Sequence, residues 1–173
     1  MAETLKLAKP HLRHADSYNA MVSRSIGVVG DYPYNNINLA QESFAEFVRE
    51  LEDEAQGIDL PPDIPAQQTY FLCLDEVVIG EFRFRPKVDM PYERYNGHIG
   101  YNLHPDYLGQ GYGTRGLGLL LDVAREHGLN LVYFTIEGEN PASVRVIEKN
   151  GGRLEKIVTD DGGNVTQCYY VKL

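Results

Sequence analysis

Leu108-Gly109-Gln110-Gly111-Tyr112-Gly113-Thr114 is the stretch that decides how this chain is read. Before it, residues 98–103 form a strand-like run. After it comes a helix with Leu117, Leu120, Leu121 and Ala124 on one face, ending at His127-Gly128. A strand, a glycine-rich turn and a helix in succession place unencumbered backbone N–H groups at the positive end of a helix dipole, where a phosphate or pyrophosphate binds. Glycine suits such a turn because a side chain would hold the phosphate off the backbone, and because the turn can visit positive φ. The stretch therefore predicts a ligand as well as a fold.

Outward from the turn, residues 131–136 read as a buried strand. Asn140-Pro141 opens a helix, with Asn as N-cap and Pro at the first position, and Asn150-Gly151-Gly152 closes it. Residues 153–159 and 166–173 form a terminal hairpin. In the other direction, residues 69–74 and 77–85 pair around Asp75-Glu76. Alternation sends Phe82 and Phe84 one way and Glu81, Arg83 and Arg85 the other. A first strand over 4–8, helices over 15–25 and 41–55, and loops over 27–40 and 56–67 complete the chain. The expected fold class is α/β (α+β layered): one domain over 1–173, with a mixed, mostly antiparallel sheet of about seven strands flanked by four helices.

Sixteen Lys and Arg against 25 Asp and Glu leave a formal charge of −9, which argues against nucleic acid as a partner. The two cysteines, Cys73 and Cys168, lie in apolar strand-like runs and read as reduced, buried thiols. No secretory leader or membrane span is predicted, so a cytoplasmic location is expected. The five histidines and two cysteines never approach ligand spacing, so no metal is expected either.

Three phosphate ligands compete. A P-loop needs a Lys after its last glycine, and none is present. A dinucleotide site is matched formally by Gly111, Gly113 and Gly116 with Glu137 downstream. However, residues 104–110 separate the strand from the first glycine, and too little chain follows for a second half-sheet. The third reading adds a second motif, Asn140-Pro141-Ala142-Ser143 through Glu148-Lys149-Asn150-Gly151, one strand further on. With both motifs and this element order, the sequence resembles the GNAT N-acetyltransferase superfamily over nearly its whole length. Within it, the chain looks like the bacterial ribosomal-protein-acetylating type and like uncharacterised predicted acetyltransferases sharing its Gly-His-Ile-Gly-Tyr strand, residues 97–101.

The resemblance implies acetyl-CoA as co-substrate, held where the strands at 98–103 and 131–136 splay apart. Tyr101, Asn102 and Leu103 would meet the acetyl and pantetheine end. Gly109, Gln110, Gly111, Tyr112, Gly113 and Thr114 would cradle the pyrophosphate, and Asn140 and Ser143 would meet the pantetheine arm. Asn140 is equally explained as a helix cap, and Ser143 as a first-turn hydroxyl. The implied reaction is direct acetyl transfer to a primary amine of a small molecule or a peptide N-terminus. A non-catalytic acyl-CoA-binding module of the same fold is the alternative, and a homodimer is left open.

Two positions depart from the family pattern. Leu108 stands where the family carries Gln or Arg, which points to Arg115 as a substitute phosphate ligand. Ile147 stands where many members carry an acidic Tyr, leaving Tyr133 or Tyr169 to protonate the leaving thiolate. His98 is the expected base, with a pKa suited to deprotonating an amine, and Glu81 and Glu137 are the alternatives. Substrate choice is expected from the loops 30–38, with Asp31, Tyr32 and Tyr34, and 91–97, with Tyr92, Glu93 and Tyr95.

Overall fold

The computed structural model of the chain describes residues 3–25, 35–92 and 96–173. In chain order these form β1 (Leu5–Ala8), α1 (Ala15–Ser25), α2 (Ile37–Glu42), α3 (Phe44–Gln56), β2 (Gln68–Leu74), β3 (Val77–Phe84) and β4 (Ile99–Leu103). They continue with α4 (Tyr112–Glu126), β5 (Leu131–Glu137), α5 (Pro141–Lys149), β6 (Arg153–Thr159) and β7 (Val165–Lys172). The strands make two antiparallel sheets, β1-β2-β3-β4 and β5-β7-β6, where one mixed sheet was expected. Among the described residues the two sheets are bridged at Gly97 and Phe134, beside which the His98 N–H donates to the Tyr133 carbonyl at 2.8 Å. Beyond that contact β4 and β5 part. The dinucleotide reading fails here, because it requires a doubly wound parallel sheet.

Gly97 makes the junction. Its φ is +68°, and a Cβ would lie 2.5 Å from the Tyr133 carbonyl oxygen, so only glycine lets the two backbones meet.

Helix α4 buries its predicted stripe, Leu117, Leu120, Leu121 and Ala124, against Leu72, Phe82, Phe84 and Phe134. Gly113 and Gly116 allow this approach: a Cβ would fall 2.9 Å from Leu103 at the first and 2.7 Å from Phe82 at the second. Two of the glycines in the motif therefore serve helix packing. On the opposite face of β2 and β3, α1 and α3 build a second core from Tyr18, Phe44, Phe47, Phe71 and Val78. Strand β3 is thus covered on both sides. Its register against β2 slips by one residue at Ile79, so Val78 and Glu81, three apart, face the same side. A bulge of this kind re-aims a side chain; here it brings Val78 onto the α1 side, which Glu81 takes by alternation with Phe82 and Phe84.

The helix expected over 41–55 breaks at Ser43, whose extended backbone ends α2 and whose hydroxyl caps α3 by accepting the Glu46 N–H. Asn36 caps α2 in turn, accepting the Leu39 N–H. Five α-helices result where four were expected.

Candidate active site

The space opened by the diverging strands is a cleft of about 490 Å³ between β4, the glycine turn and α5. Nine of the eleven residues expected to hold the cofactor line it: Tyr101, Asn102 and Leu103 from β4, Gly109, Gly111, Gly113 and Thr114 from the turn, and Asn140 and Ser143 from α5. Gly111 is the N-cap of α4 with φ +85° and makes no side-chain cap, leaving the first N–H groups of the helix without an intrahelical partner. Gly109 and Gly111 have φ of +74° and +85°, the left-handed backbone that favours glycine, and both border open space, with nothing within 4 Å of a Cβ built at either. The other two residues turn their side chains elsewhere. Gln110 donates to the Asp106 carbonyl at 2.8 Å, and the Tyr112 hydroxyl donates to Glu3 at 3.1 Å.

Asn140 caps α5 as its position before Pro141 suggests, its Oδ1 accepting the Ser143 N–H at 3.1 Å. The Tyr101 hydroxyl is buried and has no protein partner at hydrogen-bonding geometry. Burial pushes its pKa up to about 12, with the Ser143 hydroxyl pulling the other way. Nδ2 of Asn102 is also buried without a partner. Orphaned polar atoms in a lined cleft are groups awaiting a ligand.

On the α1 side of the same strands lies Glu81, fully buried and in register with Asn102. Its carboxylate accepts from the Tyr18 hydroxyl at 2.6 Å and the Asn35 N–H at 3.2 Å. Burial raises its pKa, opposed by Arg83, Tyr18 and Asn35.

His98 sits at the closed end of the cleft rather than in its open part. Its Nδ1 accepts the Tyr133 N–H at 3.1 Å, and its ring stacks on that of Tyr133. A neutral imidazole accepting at Nδ1 carries its proton on Nε2, so no lone pair is free to take another. Burial and the charge of Arg85 hold its pKa down to about 4. Tyr133 lies between His98 and Tyr92, stacked on both. Tyr169 is packed in the α4-side core and Ile147 beside it, while Glu137 is exposed at the end of β5. Of the substrate-loop residues, Tyr92 is buried and donates to Glu155. Asp31, Tyr32, Tyr34, Glu93 and Tyr95 lie outside the described residues.

Arg115, expected to substitute for the family side chain lost at Leu108, is not among the residues lining the cleft. It lies over the Tyr112 ring, 5.8 Å from its centroid, and lines a separate depression along α4. The cations lining the cleft are Arg145 and Lys149 of α5. Together with Ala142 and Val146 they follow the helical i, i+3, i+4, i+7 spacing that turns one face toward the glycine turn. A stripe mixing small, apolar and basic residues gives no hydropathy contrast, so periodicity alone did not single it out. No group of three metal-binding side chains occurs among the described residues. No helix among them is long and apolar enough to cross a membrane.

Two splayed antiparallel sheets, with an uncapped glycine turn facing a helix across the gap, define a fold with a cleft for a long, phosphate-bearing ligand. The model of the acetyltransferase (GNAT) domain matches residues 4–153. The chain belongs to the GNAT acetyltransferase family. No curated protein matches it in sequence. Among solved structures, it is similar to the microcin C7 self-immunity acetyltransferase MccE, in complex with acetyl-CoA and AMP. That match has a TM-score of 0.71 and 16% identity over 98% of this chain and 92% of the other. Mycobacterium smegmatis RimJ, in complex with CoA-disulfide, aligns with a TM-score of 0.73 and 18% identity, over 97% of this chain and 81% of that one. The aminoglycoside acetyltransferase AAC(6')-Ib, in complex with coenzyme A, aligns with a TM-score of 0.64 and 20% identity, over 99% and 95%.

Proposed function

We propose that the chain is an acetyl-CoA-dependent N-acetyltransferase that transfers the acetyl group directly to a primary amine. The observation that carries this reading is the cleft, where an uncapped helix N-terminus, two cations and two orphaned polar side chains face one space. The N–H groups of the α4 N-terminus would hold the pyrophosphate, and Arg145 and Lys149 would add charge. Asn140 keeps its Nδ2 for the pantetheine arm while its Oδ1 caps α5. Acetyl-CoA supplies an activated thioester, whose carbonyl carbon accepts the amine nitrogen as the carbon–sulfur bond breaks.

Glu81 is the group we assign as base. It is a buried carboxylate with a raised pKa, in register with Asn102, which lines the cleft. Raising a carboxylate pKa toward neutrality makes it a better proton acceptor while it stays ionised. His98 is set aside because Nδ1 is engaged and its pKa, held down to about 4, makes it a weak proton acceptor at neutral pH. Its role in this reading is to pin β4 to β5 at the apex of the splay. Tyr101 is assigned as proton donor to the departing thiolate. It takes the part expected of Tyr133 or Tyr169, whose rings are stacked against or packed among other residues. Its high pKa keeps the hydroxyl protonated at neutral pH.

The rival is a non-catalytic acyl-CoA-binding module, favoured by Ile147, buried in the core where many relatives have a tyrosine. Thermal denaturation with acetyl-CoA, coenzyme A or NAD tests the binding half. Stabilisation by the first two alone is expected, whereas stabilisation by NAD alone would overturn the reading.

A further inference from the structure

Catalysis as assigned above leaves unused a cluster of cations on the α1-facing side of β3 and its continuation. Arg83 has a side chain only 16% exposed and donates no hydrogen bond among the described residues; its Nε is buried and unpartnered. The nearest carboxylate oxygen, Oε1 of Glu81, is 3.9 Å away, beyond hydrogen-bonding distance. Arg85, two residues on, spends its donors on neutral oxygens: the Gly97 carbonyl at 2.8 Å, the Asn96 carbonyl at 3.1 Å, and the Gln67 side chain. Both guanidinium groups border Gly100, where a Cβ would lie 3.6 Å from Nη2 of Arg83 and 3.8 Å from Nη2 of Arg85. The two guanidinium groups lie side by side, with Glu81 and the half-buried Glu54 as their neighbouring carboxylates, yet neither carboxylate takes a hydrogen bond from Arg83, whose Nε stays without a partner. Burial and Arg83 lower the Arg85 pKa to about 10, with Glu54 pulling the other way.

Resting on the acetyl-transfer reading of the cleft, we infer that the acceptor is a free α-amino acid, its carboxylate held by Arg83 and its amine presented to Glu81. The Nε–Nη edge of a guanidinium meets a planar carboxylate through two parallel hydrogen bonds. Asn102, in register with Glu81, offers its unpartnered Nδ2 as a further donor. Only the N–Cα and Cα–C bonds separate amine from carboxylate in an α-amino acid. That short reach suits a base and a guanidinium whose nearest atoms are 3.9 Å apart. Glu81 also argues for a monoanion, since its charge repels a phosphate dianion at that distance. In the transfer, the ammonium gives one proton to Glu81, the freed nitrogen forms the new C–N bond, and the C–S bond breaks with its electron pair on sulfur. The sulfur takes a proton from Tyr101, the second proton on the new amide nitrogen passes to the phenolate so formed, and Glu81 gives its proton to solvent. The products are an N-acetyl amino acid and coenzyme A.

The test is thiol release from acetyl-CoA with a panel of α-amino acids, each paired with its amide and its decarboxylated amine. Wild type is expected to prefer the free acid by about ten- to a hundredfold in kcat/KM, the order of a charge-assisted contact. Arg83→Gln should abolish the preference through KM, and Arg83→Lys should restore part of it, with thermal stabilisation by acetyl-CoA unchanged in both. Amides or amines used as well as the acids, or a preference that survives Arg83→Gln in folded protein, would overturn the inference. So would failure to acetylate any amino acid, and if acetyl-CoA still stabilises the protein the cofactor reading stands apart from that failure. Loss of that stabilisation in wild type would overturn the cleft reading and this inference with it.

Discussion

The imidazole of His98 accepts the Tyr133 N–H and lies near Arg85, and it is held neutral down to about pH 4 against an ordinary 6.5. This has a consequence for stability. Between those two values the unfolded chain takes up a proton that the folded chain refuses, so stability falls as pH drops through the window and is unaffected above it. A displacement from 6.5 to about 4 corresponds to about 3 kcal/mol at the acid end. The half-buried Glu54 and the fully buried Glu81, with raised pKa values, push the other way by taking protons earlier in the folded state. Urea unfolding of wild type and His98→Asn from pH 7 to pH 4 separates the two effects. The wild-type curve should fall more steeply than the variant's across the window, and parallel curves would contradict the assignment. Gly97 is the other residue whose role is geometric: Gly97→Ala should cost at least about 2 kcal/mol, from the left-handed backbone and the collision with Tyr133. An unchanged melting temperature would show that the sheets need not meet there.

Among the elements, α5 shows how one residue serves two ends. Asn140→Ala removes the cap and should cost about 1 kcal/mol of stability. Asn140→Asp keeps the cap and should restore that stability, yet lacks the Nδ2 donor and should leave acetyl-CoA binding weakened. Full recovery of both would reduce Asn140 to a cap. The strand–turn–helix and the Asn140 helix were readable because glycine, proline and cap residues act locally, over a few positions. Helix α2 escaped because six residues give too short a period, and because Ser43, read as helix interior, is instead a shared boundary. Alternation placed Glu81 opposite Phe82 and Phe84, whereas the side taken by Val78 depends on the slip at Ile79, a pairing property of two strands that neither strand carries alone. The splay between the strands at 98–103 and 131–136 was expected from the resemblance and is where the two sheets divide, whereas the contact at its apex joins residues 97–98 and 133–134, distant in sequence, and has no local signal. Arg83 and Arg85 were placed on the right face by alternation, but that the Arg83 Nε lacks a hydrogen-bond partner shows only once its neighbours are assembled.

For the molecule as a whole, a net charge of −9 surrounds a cleft lined by Arg145 and Lys149, so the positive potential that draws a polyanionic cofactor is confined to the site. In the proposed reading, the acyl donor and the acceptor would approach from different sides of β4. Donor groups lie between β4 and α5, and Glu81 and Arg83 lie on the α1 side. Such an arrangement fits direct transfer between two bound substrates, with the strand's backbone between them. The most direct measurement is acceptor-dependent release of coenzyme A thiol from acetyl-CoA at neutral pH, by wild type and by Glu81→Gln. Wild type should release thiol only when an acceptor amine is present. The variant should lose about a hundredfold or more in kcat while its KM for acetyl-CoA stays the same. Release that ignores the acceptor, or a Glu81→Gln enzyme as fast as wild type, would contradict the account.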